Sequence, residues 1–203
     1  MDYTFQRTAK ITAGLLIAIA VTQAVYTALY IAEVDINRGL LWGAEGILFV
    51  AIAAFAGGAM VQSKRFAVGW SAIAFSAVLN VVQVGVGLTM FGPFREGAES
   101  LDALAPLAGA VVAFSFFVYN AAKVLLAFAA LIFGLAKMNA SVGGGKALGA
   151  VTAIVGAVAL ASNAAIMVLG RGALGQLPIS GGSGVLATLL LGLILVSATR
   201  DND

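Results

Sequence analysis

The sequence predicts an all-α membrane protein, a polytopic bundle of six transmembrane helices with both termini on the cytoplasmic side. Hydrophobic residues make up 62% of the 203 residues and charged residues only 10%. A water-soluble domain carries about 25% charged residues, so lipid is the solvent that suits this composition. Six long apolar stretches and an uneven distribution of basic residues between them complete the argument.

The six stretches give the individual helices, because a span needs about 20 mostly apolar residues. We predict spans over residues 9–32, 40–61, 66–91, 104–136, 147–169 and 185–198, within a single transmembrane domain of residues 1–203. The first stretch exceeds the roughly 7–15 apolar residues of a signal peptide, so we expect it to be retained. The fourth exceeds an untilted span, so we expect it to tilt or to protrude.

The segments between the spans are predicted to be loops. Residues 92–102 contain Pro93, Arg95, Glu96 and Glu99 and are expected to form a long loop, and residues 170–184 are expected to form another. The run Gly143–Gly145 lacks the Gly-Lys-Ser/Thr ending of a phosphate-binding loop despite Lys146. We therefore expect it to be a flexible linker.

The basic residues indicate the orientation of the bundle. With the N-terminus inside, seven lie on the inner side (Arg7, Lys10, Lys64, Arg65, Lys137, Lys146, Arg200) and three on the outer side (Arg38, Arg95, Arg171). This excess follows the positive-inside rule and favours a multi-pass protein of the inner, cytoplasmic membrane. Trp42 near the outer boundary and Trp70 near the inner one are expected to be interfacial anchors.

The residue types that are missing narrow the function. The chain has no cysteine and no histidine, which removes disulfides, thiolate metal sites and the usual imidazole ligands and bases. We predict no metal and no cofactor, and the lack of a catalytic motif favours a non-enzymatic role. A net charge of +2, with scattered basic residues, gives no nucleic-acid-binding surface.

Two ionisable residues, Glu45 and Lys123, fall well inside predicted spans. A charge at a helix centre costs roughly 2.5–3.5 kcal/mol on insertion scales, so both should face the bundle interior. Helical side chains lean toward the helix N-terminus, which directs Lys123 toward the level of Glu45 and permits a pair.

Neutral polar residues occur at a similar depth in other spans. Ser76, Asn80 and Gln83 share one face of the third span, and Tyr119 and Asn120 lie one turn from Lys123. The candidate ligand-binding residues are therefore Gln23, Glu45, Asn80, Gln83, Tyr119, Asn120, Lys123 and Asn163.

Two functions fit this polar layer. In the first, the protein is a small-molecule or ion carrier or binder, with an outward-opening pocket around Glu45 and Lys123. In the second, it is a structural or accessory subunit of a larger membrane complex, and the polar groups join helices at about 0.6 kcal/mol per bond. The expected partners are the lipid bilayer, a small polar or ionic ligand, and other membrane proteins or further copies of the chain.

Overall fold

The computed structural model describes residues 4–34, 37–63, 65–170 and 179–200. In these ranges the chain forms α1 (Phe5–Ile31), α2 (Arg38–Gln62), α3 (Ala67–Ser100), α4 (Ala105–Ala140), α5 (Gly143–Leu169) and α6 (Ile179–Arg200), with a 3₁₀ turn at Asp102–Leu104. All six are long and apolar enough to cross a bilayer. The all-helical, six-helix class is confirmed, and it is compatible with an integral membrane protein. Lys64 and Arg171, which contributed to the predicted orientation, lie outside the described residues.

The helices form a ring with one helix outside it. In the described residues α1 packs on α2, α2 on α3, α3 on α4, α4 on α6, and α6 back on α1. Helix α5 packs against α4 and α6 on the outside of this ring. Among these described residues, helix α4 packs on neither α1 nor α2. It therefore reaches these two helices only through side chains that project into the ring interior.

The bundle has two ends, called here the base and the mouth. The base is the end where α1 and α3 begin and α4 ends, and there Phe5 of α1 meets Trp70 of α3. The mouth is the opposite end, where α1 ends, α2 begins, and α3 joins α4. Side-chain caps start α1 and α2: Thr4 Oγ1 accepts from the Arg7 amide (3.3 Å) and Asn37 Oδ1 from the Leu40 amide (3.1 Å).

Helix α3 corrects the predicted loop at residues 92–102. It continues through Pro93 to Ser100, and only the 3₁₀ turn separates it from α4. Proline removes one backbone hydrogen bond, but the following turn is supported by the i,i+4 pair of Arg95 and Glu99 (3.6 Å) and by packing on α4. At about 1.5 Å per residue, α3 and α4 are about 51 and 54 Å long, far more than the roughly 30 Å hydrocarbon layer.

Helix α5 corrects the predicted linker at Gly143–Gly145. The glycines form its first turn, and only Ser141 and Val142 separate it from α4. The physical reason lies in the α4–α5 contact, where the two backbones approach closely. A Cβ atom built on Gly156 would lie 2.8 Å from the Leu131 backbone nitrogen, and one on Gly149 would overlap the Met138 backbone. Helix α6 likewise begins at Ile179, inside the segment predicted as a loop up to residue 184.

The base of the ring is filled with aromatic side chains. Phe5, Phe66, Trp70 and Phe133, called here the base cluster, meet at ring-centroid distances of 5.4–5.9 Å. Trp70 is 1% exposed, so the prediction that it is an interfacial anchor is wrong. Above this cluster Leu16, Phe49, Ile52 and Ile73 are fully buried. The base half of the ring is therefore a packed apolar core.

Candidate functional site

Lys123 is the centre of the polar region and is completely buried. It leaves α4 and crosses the ring interior to α1, where its Nζ donates to Gln23 Oε1 at 2.7 Å. Its alkyl stem packs on Gly184 of α6, where a Cβ would lie 3.1 Å from the Lys123 Cδ. A charge-assisted hydrogen bond contributes about 1.5–3 kcal/mol and holds the ammonium group at a defined position.

Glu45 projects into the same interior from α2. It is 7% exposed, and within the described residues its Oε1 has no hydrogen-bond partner. Thr22 of α1 approaches the carboxylate, but the Thr22 hydroxyl donates its proton to the Ile19 carbonyl at 3.0 Å. The carboxylate therefore retains an unused acceptor in a buried position.

Glu45 and Lys123 are near one another without forming an ion pair. They are close enough to interact electrostatically, but their nitrogen–oxygen distance exceeds the 4.0 Å of an ion pair such as that of Arg95 and Glu99. The ion pair that the sequence permits is not formed, because the Lys123 ammonium is bound by Gln23 instead.

Tyr119 completes this group. The Lys123 Nζ lies 5.3 Å from the centroid of the Tyr119 ring, a cation–π distance, and Tyr119 lies in the electrostatic field of Glu45. Gln23, Glu45, Tyr119 and Lys123 are called here the polar cluster. Three helices, α1, α2 and α4, thus contribute to one group of side chains, although in the described part of the chain α4 packs directly on neither α1 nor α2.

The other four candidates lie elsewhere or serve packing. Gln83 donates to Ser115 Oγ (3.3 Å) across the α3–α4 interface. Asn80, Asn120 and Asn163 each donate to the carbonyl four residues earlier in their own helix, at 2.7–3.0 Å. Asn120 also lines a small cavity between α4 and α5, away from the ring interior. The sequence spacing placed Asn120 one turn from Lys123, but the structure does not bring their polar groups together.

Sequence reasoning missed two residues of the site. Thr22 precedes Gln23 in an apolar stretch, and Gly184 falls in a segment predicted to be a loop. Thr22 approaches Glu45, and Gly184 provides the space for the Lys123 stem. No local pattern marks either residue, because both act through contacts between helices.

An aromatic layer separates the polar cluster from the mouth. This layer, called here the mouth cluster, consists of Tyr26, Tyr30, Trp42 and Phe91. Tyr26 contacts both Tyr30 and Trp42, and Trp42 also contacts Phe91, with ring-centroid distances of 6.0–6.2 Å. Trp42 lies one helical turn before Glu45, which places it about 4.5 Å nearer the mouth along α2. Its indole rests on Gly87, where a Cβ would be 3.1 Å from Trp42 Cζ3. Trp42 is half-buried and packs between helices, and its role as an interfacial anchor stays a prediction.

Outside this layer is a cavity of about 680 Å³, called here the vestibule. The ends of α2, α3 and α4 surround it, and its wall includes Arg38, Trp42, Phe91, Phe94, Arg95 and Val111. Glu45 and Lys123 are not among the residues that line it. The polar cluster is therefore not part of the vestibule wall, and Trp42 lies on that wall one helical turn from Glu45.

No family model, curated protein or solved structure matches this chain. The polar cluster, the mouth cluster and the vestibule are thus the observations from which a function can be argued.

Proposed function

We propose that the protein is a carrier or binder of a small polar or ionic ligand, which occupies the polar cluster and is reached from the mouth. The observation that carries the proposal is the buried Glu45 Oε1 without a hydrogen-bond partner, beside a buried lysine that bonds to a neutral amide. Buried polar groups in native proteins are nearly always hydrogen-bonded, and an unpaired one costs about 1–3 kcal/mol.

A purely structural role gives no reason for this arrangement. If the two charges only joined helices, a direct ion pair would compensate both desolvation penalties at once. Here Gln23 holds the Lys123 ammonium, and Glu45 keeps an acceptor toward the interior. A ligand with a positive or proton-donating group for Glu45 and an acceptor for Lys123 supplies the missing partners. Zwitterionic amino acids carry both groups, and sodium ion tests the Glu45 part of that chemistry alone.

Access requires a change at the mouth cluster. The vestibule ends at Trp42, and Glu45 lies one turn deeper in α2. In this proposal, rotation of the Trp42 side chain away from Gly87 opens the way from the vestibule to Glu45. A carrier must also open the closed base to release the ligand on the other side. A receptor-like binder needs only the opening at the mouth.

The test measures ligand-dependent thermal stability of the purified protein in phosphatidylcholine nanodiscs. The probes are sodium chloride against choline chloride, and a mixture of the twenty standard amino acids. A ligand at 100 times its Kd stabilises by about 2.7 kcal/mol, which corresponds to a rise in Tm of roughly 5–10 °C for a chain of this size. We expect such a rise for the unchanged protein with at least one probe, and its loss in Glu45→Gln. In Lys123→Met we expect loss of any response to amino acids, whose carboxylate needs the ammonium group.

Two glycines provide a matched control that leaves both charges in place. Gly184→Ala pushes against the Lys123 stem, whereas a Cβ on Gly182 meets no atom within 4 Å. We expect Gly184→Ala to weaken the response and Gly182→Ala to preserve it. The proposal fails if no probe raises the Tm, or if Glu45→Gln combined with Lys123→Met responds like the unchanged protein.

A second function, that of a structural or accessory subunit, is favoured by a different observation. Ser76 of α3 donates to the Ala122 carbonyl of α4 at 2.7 Å, and Asn80 donates to the Ser76 carbonyl. Part of the polar layer therefore does join helices, as a packing role requires. This function predicts co-purification of a membrane partner in mild detergent and no Tm response to the probes.

A further inference from the structure

We propose that the vestibule is a separate binding site for a small organic anion with an apolar body, such as an aromatic or short-chain carboxylate. The site lies outside the mouth cluster and does not share a residue with the polar cluster. It therefore goes beyond the proposed function, and it stands whether or not a ligand reaches Lys123.

The wall of the vestibule combines two kinds of surface. Trp42, Phe91, Phe94 and Val111 supply aromatic and aliphatic contacts, and Arg38 and Arg95 supply guanidinium groups from two different helices. Its volume of about 680 Å³ lies within the usual range of small-molecule sites, roughly 300–1,000 Å³. Such sites are mostly apolar with a few polar groups that fix orientation, which describes this wall.

The charge of the wall selects the ligand. The two ionisable side chains among the described lining residues are both arginines, and a guanidinium group binds a carboxylate through two parallel hydrogen bonds. Charge complementarity therefore favours an anion, and the aromatic wall favours one with an apolar body. A compact, strongly hydrated anion would leave the aromatic surface without a contact.

Both arginines can turn to a ligand at low cost. Arg38 lies over the Tyr30 ring at 5.9 Å, an exposed cation–π contact of about 0.5–1 kcal/mol. Arg95 pairs with Glu99 at 3.6 Å, and both side chains are more than two-thirds exposed, so the pair contributes about 0–1 kcal/mol. Glu99 competes with the ligand for Arg95 only weakly.

Tryptophan fluorescence gives a direct test, because the chain has two tryptophans and they lie at opposite ends of the bundle. Trp70→Phe leaves Trp42 as the single reporter, on the vestibule wall. The probe is 4-iodobenzoate, a heavy-atom quencher, with neutral 4-iodobenzamide as its match in size, in phosphatidylcholine nanodiscs. We expect saturable quenching by the carboxylate and at least tenfold weaker binding of the amide. With Trp42→Phe, the remaining buried Trp70 should not be quenched.

The two vestibule arginines are replaced together, and an arginine at the base serves as the control. We expect Arg38→Gln with Arg95→Gln to weaken 4-iodobenzoate binding at least tenfold, and Arg65→Gln at the base to leave it unchanged. Calorimetric titration of the same variants with both tryptophans present repeats the measurement if Trp70→Phe folds poorly. Equal affinity for the carboxylate and the amide, or full affinity in the double arginine variant, would overturn the proposal.

Lys123→Met separates this site from the polar cluster. Unchanged 4-iodobenzoate affinity in Lys123→Met, together with loss in the arginine variant, supports an independent vestibule site. Loss in Lys123→Met with full affinity in the arginine variant would instead place the anion at the polar cluster and reject the vestibule site.

Discussion

The base and the mouth of the bundle each contain one tryptophan in an aromatic cluster, yet the two clusters differ in what surrounds them. Trp70 at the base is almost fully buried, and Phe49, Ile52 and Ile73 beyond it are fully buried as well. Trp42 at the mouth has the vestibule on one side and the polar cluster one turn away on the other. Similar aromatic chemistry thus gives a closed end and an end that a side-chain movement can open.

The glycines beneath the two clusters show the same contrast. A Cβ on Gly69 would lie 2.7 Å from Phe133 Cε2, and that ring is also held by Phe66 and Trp70. A Cβ on Gly87 would lie 3.1 Å from Trp42 Cζ3, next to the vestibule. A ring packed on all sides cannot yield to an added methyl group, whereas a ring beside a cavity can.

The largest expected effect is at the base, where Trp70→Ala should lower the free energy of unfolding by about 3–5 kcal/mol. It removes a completely packed indole and leaves a void among apolar side chains. Trp42→Ala should cost less than half as much, because one side of its indole already faces the vestibule. Unfolding in mixed micelles of dodecylmaltoside and sodium dodecyl sulfate measures both. Equal losses would remove the distinction between a closed base and a yielding mouth.

A smaller effect is expected from one methyl group at each end. Gly69→Ala should destabilise by about 1–3 kcal/mol, the usual cost of overpacking, because the Phe133 ring has no free direction. Gly87→Ala should cost under about 1 kcal/mol, since the Trp42 indole can swing into the vestibule. The same swing should increase quenching of Trp42 by iodide in the Trp70→Phe background. If Gly87→Ala proves as costly as Gly69→Ala, the mouth cluster is as rigid as the base cluster.

The smallest effect on stability is expected from two cysteine substitutions, which test the side of the membrane that each end of the bundle faces. The chain has no native cysteine, so Leu101→Cys at the mouth and Val142→Cys at the base each introduce a single exposed thiol. Val142 is 89% exposed, in the two-residue turn between α4 and α5. We expect a membrane-impermeant maleimide added to intact cells to label Leu101→Cys alone, with Val142→Cys labelled after permeabilisation. The reverse pattern would place the mouth on the cytoplasmic side.

The sequence predicted the helices better than their ends. Hydrophobicity identifies a span because every residue of the span faces an apolar medium, so the six stretches needed no tertiary information. Residues 92–100 and Gly143–Gly145 were predicted to be irregular from Pro93 and from the glycines, which are poor helix formers. The packing of α3 and α5 on α4 outweighs that local preference, and nothing in the local pattern reports it.

Only part of the candidate site was predicted, because local sequence patterns do not show which helices face one another. The cost of a buried charge was enough to direct Glu45 and Lys123 into the interior, where both are found. The partner of Lys123 depended on how α1 and α4 face each other across the ring, and Gln23 lies 100 residues away in the chain. Helical spacing correctly brought Tyr119 to Lys123, but it could not show that Asn120 turns toward α5.

The amino-acid sequence by itself determined that the chain is a bundle of six apolar helices with two charges buried inside it, because solvation acts on each residue separately. The tertiary structure alone decided which helices are neighbours in the ring, that Glu45 keeps an unused acceptor, and that Trp42 lies between the vestibule and Glu45. Those features arise from contacts between residues far apart in the chain, and such contacts have no local signature.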